Sequence, residues 1–203
     1  PPVRGPLQRL PGPVDHGHRG RPAPPGGEPF LYAYYDGVDK VAHEYGLGAH
    51  YDAEVAVADR LVADVLEVMP SGAALVVTAD HGQVDVGDRI RHLDPSLLPH
   101  VALQSGEGRF RWLHARSGRA AALLEAATAH HGDDAWVVTR EEAVESGWFG
   151  PVDRRLADRW GDVMVVCRDD WAVMTRRQPK EFGLVGMHGS LTEFEMRVPV
   201  LVG

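Results

Sequence analysis

Residues 30–34, Phe-Leu-Tyr-Ala-Tyr, form a short aromatic-rich run of strand type. From Asp52 to Met69 the apolar residues Val55, Ala58, Val62, Val65, Leu66 and Met69 recur at helical spacing. Asp52, Asp59, Arg60, Asp64 and Glu67 take the other positions, so the spacing predicts an amphipathic helix. Pro70-Ser71-Gly72 ends it. Ala73–Thr78 then runs almost uninterrupted in apolar residues, which predicts a strand buried on both faces of a parallel sheet. Strand, helix, turn and strand in that order make a βαβ unit, whose crossover is expected to be right-handed. Further strands are predicted near 100–104, 109–115, 135–139, 163–167 and 198–202, with helices over Ser117–His131 and Arg140–Glu145. The alternation of strand and helix signals gives the class α/β.

Residues 1–29 read differently. They hold nine of the fifteen prolines and six glycines, and Arg4, Arg9, Arg19 and Arg21 stand there against only Asp15 and Glu28. Proline removes amide donors and glycine raises the entropic cost of ordering, so this stretch is expected to be a disordered arm or non-native sequence ahead of a domain at 30–203. His16 and His18 within it read as a solvated pair.

Composition narrows the function classes. The 203 residues carry 21 Lys and Arg against 29 Asp and Glu, a formal charge of −8, so bulk charge does not favour a nucleic-acid backbone. The single cysteine, Cys167, excludes an intramolecular disulfide framework and a cysteine-based zinc cage, and reads as a small core residue. No apolar run approaches the roughly 20 residues that span a bilayer, so no membrane partner is expected. One cysteine and no transmembrane run agree with a cytoplasmic location.

Three short segments concentrate polar chemistry near expected strand ends, where open α/β sheets collect their ligands. Asp39 and His43, in the segment 35–46, are four apart and share one face of a helical turn, an arrangement that suits a divalent metal but also an ordinary surface contact. Asp80 and His81, followed by Gly82, close the run 77–82; they can reach one ion, or Asp80 can simply bond nearby backbone. His188 lies between Met187 and Gly189 in the third segment, Gly186–Ser190, ahead of the apolar run 198–202. Asp36 is close enough to replace Asp39 as a ligand, although the spacing favours Asp39. Arg109 and Arg111, flanking Phe110, read as the solvated face of a strand. Trp112, Trp136, Trp148, Trp160 and Trp171 read as packing residues.

Taken in order, the tyrosine-rich run leading to Asp39-x-x-x-His43-x-x-Gly46, the Thr78-Ala79-Asp80-His81-Gly82 turn and Gly186-x-His188-Gly189 before a Val-Pro-containing strand resemble the alkaline phosphatase superfamily. The resemblance is in particular to its type I phosphodiesterase/nucleotide pyrophosphatase branch, over about residues 30–203. The resemblance implies an alkaline-phosphatase-like, mostly parallel sheet flanked by helices. It also implies two divalent metal ions, zinc or less often manganese. By position Asp39, His43 and His188 would hold one metal, and Asp80 and His81 the other. Carboxylate and imidazole together suit Zn²⁺, whereas Mg²⁺ and Ca²⁺ favour all-oxygen shells.

The same resemblance implies a further Asp and a Thr or Ser nucleophile from the N-terminal half of such a domain. Residues 1–29 contain neither Thr nor Ser, and Thr78 does not match the nucleophile's position. The expectation is therefore the C-terminal part of a larger hydrolase of phosphodiester or nucleotide pyrophosphate bonds, with no catalytic nucleophile of its own and a small phosphate ester or nucleotide as substrate. Other activities of the superfamily (phosphomonoesterase, sulfatase, phosphomutase) and a metal-binding fragment without turnover are the alternatives.

Overall fold

In the computed structural model, residues 30–175 and 183–203 are described. The arm at 1–29, with Asp15, His16 and His18, lies outside them. Residues 30–35 are irregular, and Phe30, Leu31, Tyr32 and Tyr34 expose most of their side chains. The strand expected there does not form, because an extended run gains its ladder bonds only from a neighbouring strand. The βαβ unit that depended on it is absent too.

From Asp36 to Gly203 the chain forms one packed unit. Its elements are α1 (Gly37–Tyr45), α2 (Ala49–Val68), β1 (Val76–Thr78), β2 (Val84–Asp85), β3 (Ile90–His92), β4 (Val101–Gly106), β5 (Phe110–Ala115), α3 (Ala120–His131), β6 (Ala135–Thr139), α4 (Arg140–Glu145), β7 (Val163–Cys167), β8 (Ala172–Met174), β9 (Gly186–Met187), α5 (Glu193–Met196) and β10 (Val200–Val202). The α/β content expected from the sequence is present. The strand pairing differs from a mostly parallel sheet: among the described strands only β3 and β8 pair parallel, while β1–β10, β2–β9 and the four-stranded sheet β4-β5-β7-β6 are antiparallel.

The core is built on β7, all five of whose residues are buried. Side chains alternate across a strand. Val163, Val165 and Cys167 therefore join Leu113, Leu123, Ala127, Trp171 and Val173 under α3, while Met164 and Val166 join Phe110 and Ala143 on the other face. Trp112, Trp136, Trp148 and Trp160 close that second cluster, so the tryptophans pack as expected. Cys167 is a core residue whose thiol is pushed up to about 12, chiefly by burial. Arg109 and Arg111 do not form a solvated face. Both are fully buried. Arg111 donates to the carbonyls of Gly106 at 3.1 Å and Val173 at 3.0 Å, so hydrogen bonds offset the desolvation that strand alternation alone did not reveal. α4 begins on a capping box in which Thr139 and Glu142 satisfy each other's backbone amides.

The run 73–78 also departs from expectation. β1 is short, pairs only with β10 among the described residues, and is not buried on both faces. Val76, Val200, Leu201 and Val202 are 59–72% exposed. On α2 the half-buried positions include Ala58, Leu61 and Val62, whereas Val55, Val65 and Leu66 of the apolar stripe face outward. Exposed apolar side chains in this number favour association. The 203-residue chain is expected to associate with rising concentration in sedimentation experiments, and Val200→Lys/Val202→Lys is expected to shift it toward monomer.

His131 is buried with no hydrogen-bond partner among the described residues on either ring nitrogen, and burial lowers its affinity for a proton below the usual histidine value of 6.5. The folded state therefore resists a protonation that the unfolded state accepts. Stability contributed by the neutral ring is complete above pH 6.5 and is lost as pH falls toward the lower, folded-state value. His131→Leu is expected to raise the denaturant midpoint more at about pH 5 than at about pH 7.5, as measured by urea titration at both values.

Candidate metal centre

The site is assembled by α1 and two short ribbons. Asp39 and His43 lie on the same face of α1, as their spacing predicts. The antiparallel register Val84↔Met187 of β2 and β9 brings the chain just before β2, which carries Asp80 and His81, beside His188 just after β9. β9 also meets α1: Val185 N donates to the His43 carbonyl at 2.7 Å. This approach requires glycine at 186, since a Cβ there would stand 2.5 Å from the Ala42 carbonyl oxygen. Gly82 is required for the same reason, because a Cβ would meet the Phe194 carbonyl oxygen at 2.0 Å.

The imidazoles are oriented alike. His43 Nδ1 donates to the Gly186 carbonyl at 2.7 Å and His81 Nδ1 to the Gly82 carbonyl at 2.9 Å. A carbonyl only accepts, so Nδ1 is the donor in both rings and Nε2 is the nitrogen turned toward the cluster. Those Nε2 atoms face carboxylates, His43 at 3.3 Å from Asp39 Oδ1 and His81 at 3.8 Å from Asp80 Oδ1. His188 Nε2 is 3.9 Å from Asp39 Oδ1, and its Nδ1 is 4.0 Å from Glu107 Oε2. The His81 and His188 rings stack with centroids 3.6 Å apart, and His43 lies 5.2 Å from His188. Burial first, and then the neighbouring His81, hold His188 below the usual histidine range, against the opposing pull of Glu107 and Asp39. A neutral ring is the form that ligates metal.

Asp39, His81 and His188 each offer one ligand atom, all within 4.8 Å of one another. This grouping crosses the division implied by the resemblance, which set His81 with Asp80. His43 lies beside the group through Asp39. Asp80 is the outlier of the five, with a side chain 66% exposed. Asp36 is engaged elsewhere, in an ion pair with Lys40 at 2.5 Å. The donor set of imidazole nitrogens and a carboxylate, with Nδ1 of His43 and of His81 bonded to carbonyls, fits a divalent cation of the zinc type.

Sequence reasoning missed Gln83, whose Nε2 donates to Asp39 Oδ1 at 2.5 Å and so restrains the carboxylate. Its position directly after His81-Gly82 was the available signal. It also missed Glu107, carried between β4 and β5, for which the sequence offers no motif.

Comparison with known proteins agrees with this architecture. The family described as type I phosphodiesterase/nucleotide pyrophosphatase matches residues 18–191. An α/β chain that gathers carboxylates and imidazoles from three separate segments fits that match. The chain belongs to the type I phosphodiesterase/nucleotide pyrophosphatase family. No curated protein matches it. Among solved structures it is similar to murine ectonucleotide pyrophosphatase/phosphodiesterase 5, at 19% identity and a TM-score of 0.62, covering 81% of this chain and 44% of that one. It is also similar to phosphonoacetate hydrolase from Sinorhizobium meliloti 1021 in complex with phosphonoformate, at 22% identity and a TM-score of 0.56, covering 81% of this chain and 43% of that one. The alkaline-phosphatase-like fold is therefore present in part, since the chain spans less than half the length of these structures. No helix among the described residues is long and apolar enough to cross a membrane.

Gly82→Ala is expected to lower stability by about 1–3 kcal/mol, because the new methyl must displace backbone rather than a flexible side chain. Denaturant titration of the variant against the parent measures this.

Proposed function

We propose that this chain supplies the metal-binding part of a hydrolase of phosphodiester or nucleotide pyrophosphate bonds. The observation that carries the reading is the convergence of Asp39, His81 and His188 on one point, with ligand atoms within 4.8 Å of one another. In this reading a pair of divalent cations, zinc in the first instance, is held by Asp39, His43 and His188 together with Asp80 and His81. When bound, such a pair supplies positive charge that stabilises attacking and leaving oxygens during in-line displacement at phosphorus.

The protein residues do the rest. The Gly186 and Gly82 carbonyls fix the tautomers of His43 and His81, and Gln83 holds Asp39 in orientation. The groove lined by His43, Glu107, Leu184 and His188 receives the ester. The attacking Thr or Ser is assigned to polypeptide outside these 203 residues, so the chain alone is expected to bind metal without efficient turnover. A nucleotide is the substrate class we favour, because murine ectonucleotide pyrophosphatase/phosphodiesterase 5 has been solved in an inactive form in complex with AMP.

Elemental analysis of the purified chain tests the reading. Zinc is expected in stoichiometric amount. In His188→Ala its affinity is expected to fall by more than the roughly 10–100-fold that loss of an outer-sphere partner costs. Unchanged metal content in His188→Ala and in His43→Ala would refute the ligand assignment.

A further inference from the structure

Glu195, in α5, is 2% exposed and is the buried carboxylate among the described residues. It lies outside the candidate ligand set, yet it touches both loops that carry the clustered imidazoles. Its Oε1 accepts from the amide of Ser190, two residues beyond His188, at 2.9 Å. Its own backbone carbonyl accepts from the amide of Gly82, one residue beyond His81, at 2.8 Å. The stacked rings of His81 and His188 are thus each attached, within two residues, to a single amino acid.

Glu195 is itself fixed to the core. Arg109, fully buried just before β5, donates Nε to Oε1 at 2.8 Å and Nη2 to Oε2 at 2.6 Å. The remaining guanidinium nitrogen donates to the carbonyls of Asp169 and Trp171. Thr192 Oγ1 completes the Oε2 shell at 2.5 Å, and Ser190 Oγ donates to the Cys167 carbonyl at the end of β7. A buried ion pair of this kind is on average no more stabilising than apolar residues of the same volume. Net stability therefore does not account for the arrangement, whereas loop geometry does.

We infer that Glu195 is a positioning residue of the metal centre: by bonding Ser190 and Gly82 at once, it fixes the separation of His188 and His81 and so sets the affinity of the site for a divalent cation. The inference rests on the metal-binding reading above. It predicts that the two loops behave as one unit, tightening together when cation binds.

The test is a chelator-competition titration of the full 203-residue chain with Zn²⁺ alone, beside Glu195→Gln and the apolar double variant Arg109→Met/Glu195→Leu. Near-ultraviolet circular dichroism monitors the fold. The expected result is a folded double variant whose zinc affinity is about 10–100-fold weaker than the parent's. A folded double variant with parental affinity overturns the inference. Amide exchange on the unaltered chain decides the matter if the variants do not fold. Zinc is expected to protect the Gly82 and Ser190 amides over the same concentration range, and protection at separate concentrations would overturn the inference. A parent that binds no zinc refutes the metal reading and this inference with it. A parent that binds zinc no better than its folded variants refutes this inference alone.

Discussion

Strand β7 has no face that meets solvent, and this constraint organises the unit around it. Five consecutive apolar residues cannot be satisfied by one layer, so α3 must cover one side and the tryptophan-rich cluster the other. Once β5 and β6 pair with β7, Arg109 is carried inward with its neighbours and its charge must be met from within. Glu195 meets it. The polar interior is thus a consequence of the apolar one, and the loops that carry the candidate ligands are tied to whatever β7 holds in place.

What was legible in the sequence was local. The five-residue run at 163–167 is a strand as read, and the helix at 140–145 and the strand at 135–139 fall where the pattern put them. Asp39 and His43 share a face of α1 because helical spacing is a short-range property. The failures were of longer range. Phe30–Tyr34 and Ala73–Thr78 look alike as apolar runs, but whether such a run becomes a buried strand depends on neighbours the run does not encode. Strands of two or three residues, such as β2, β3 and β9, are too short to show any period. Arg109 and Arg111 looked solvated because most of their partners, Glu195, Asp169, Trp171 and Val173, lie some 60 residues or more away.

The candidate site shows the same division. Its inner residues stand in recognisable short motifs, while the groups that orient them do not. Gln83 restrains Asp39, the Gly186 carbonyl sets the tautomer of His43, and Glu107 approaches the outer nitrogen of His188. Such outer groups decide how well a ligand is aimed. They can be carbonyls from any residue type, which leaves little trace in the amino-acid order.

The β1–β10 ribbon has a consequence for how this unit is made. Leu75 and Gly203 exchange backbone hydrogen bonds, and Val76 lies opposite Val202. Contacts of such sequence separation close late, because the entropy of a long loop must be overcome before they form. On a ribosome, residues 36–174 can emerge and collapse around β7 while Asp80 and His81 still lack the chain that will face them. The candidate cluster is complete only once His188 has cleared the exit tunnel, so it comes together late and is not a nucleus for folding.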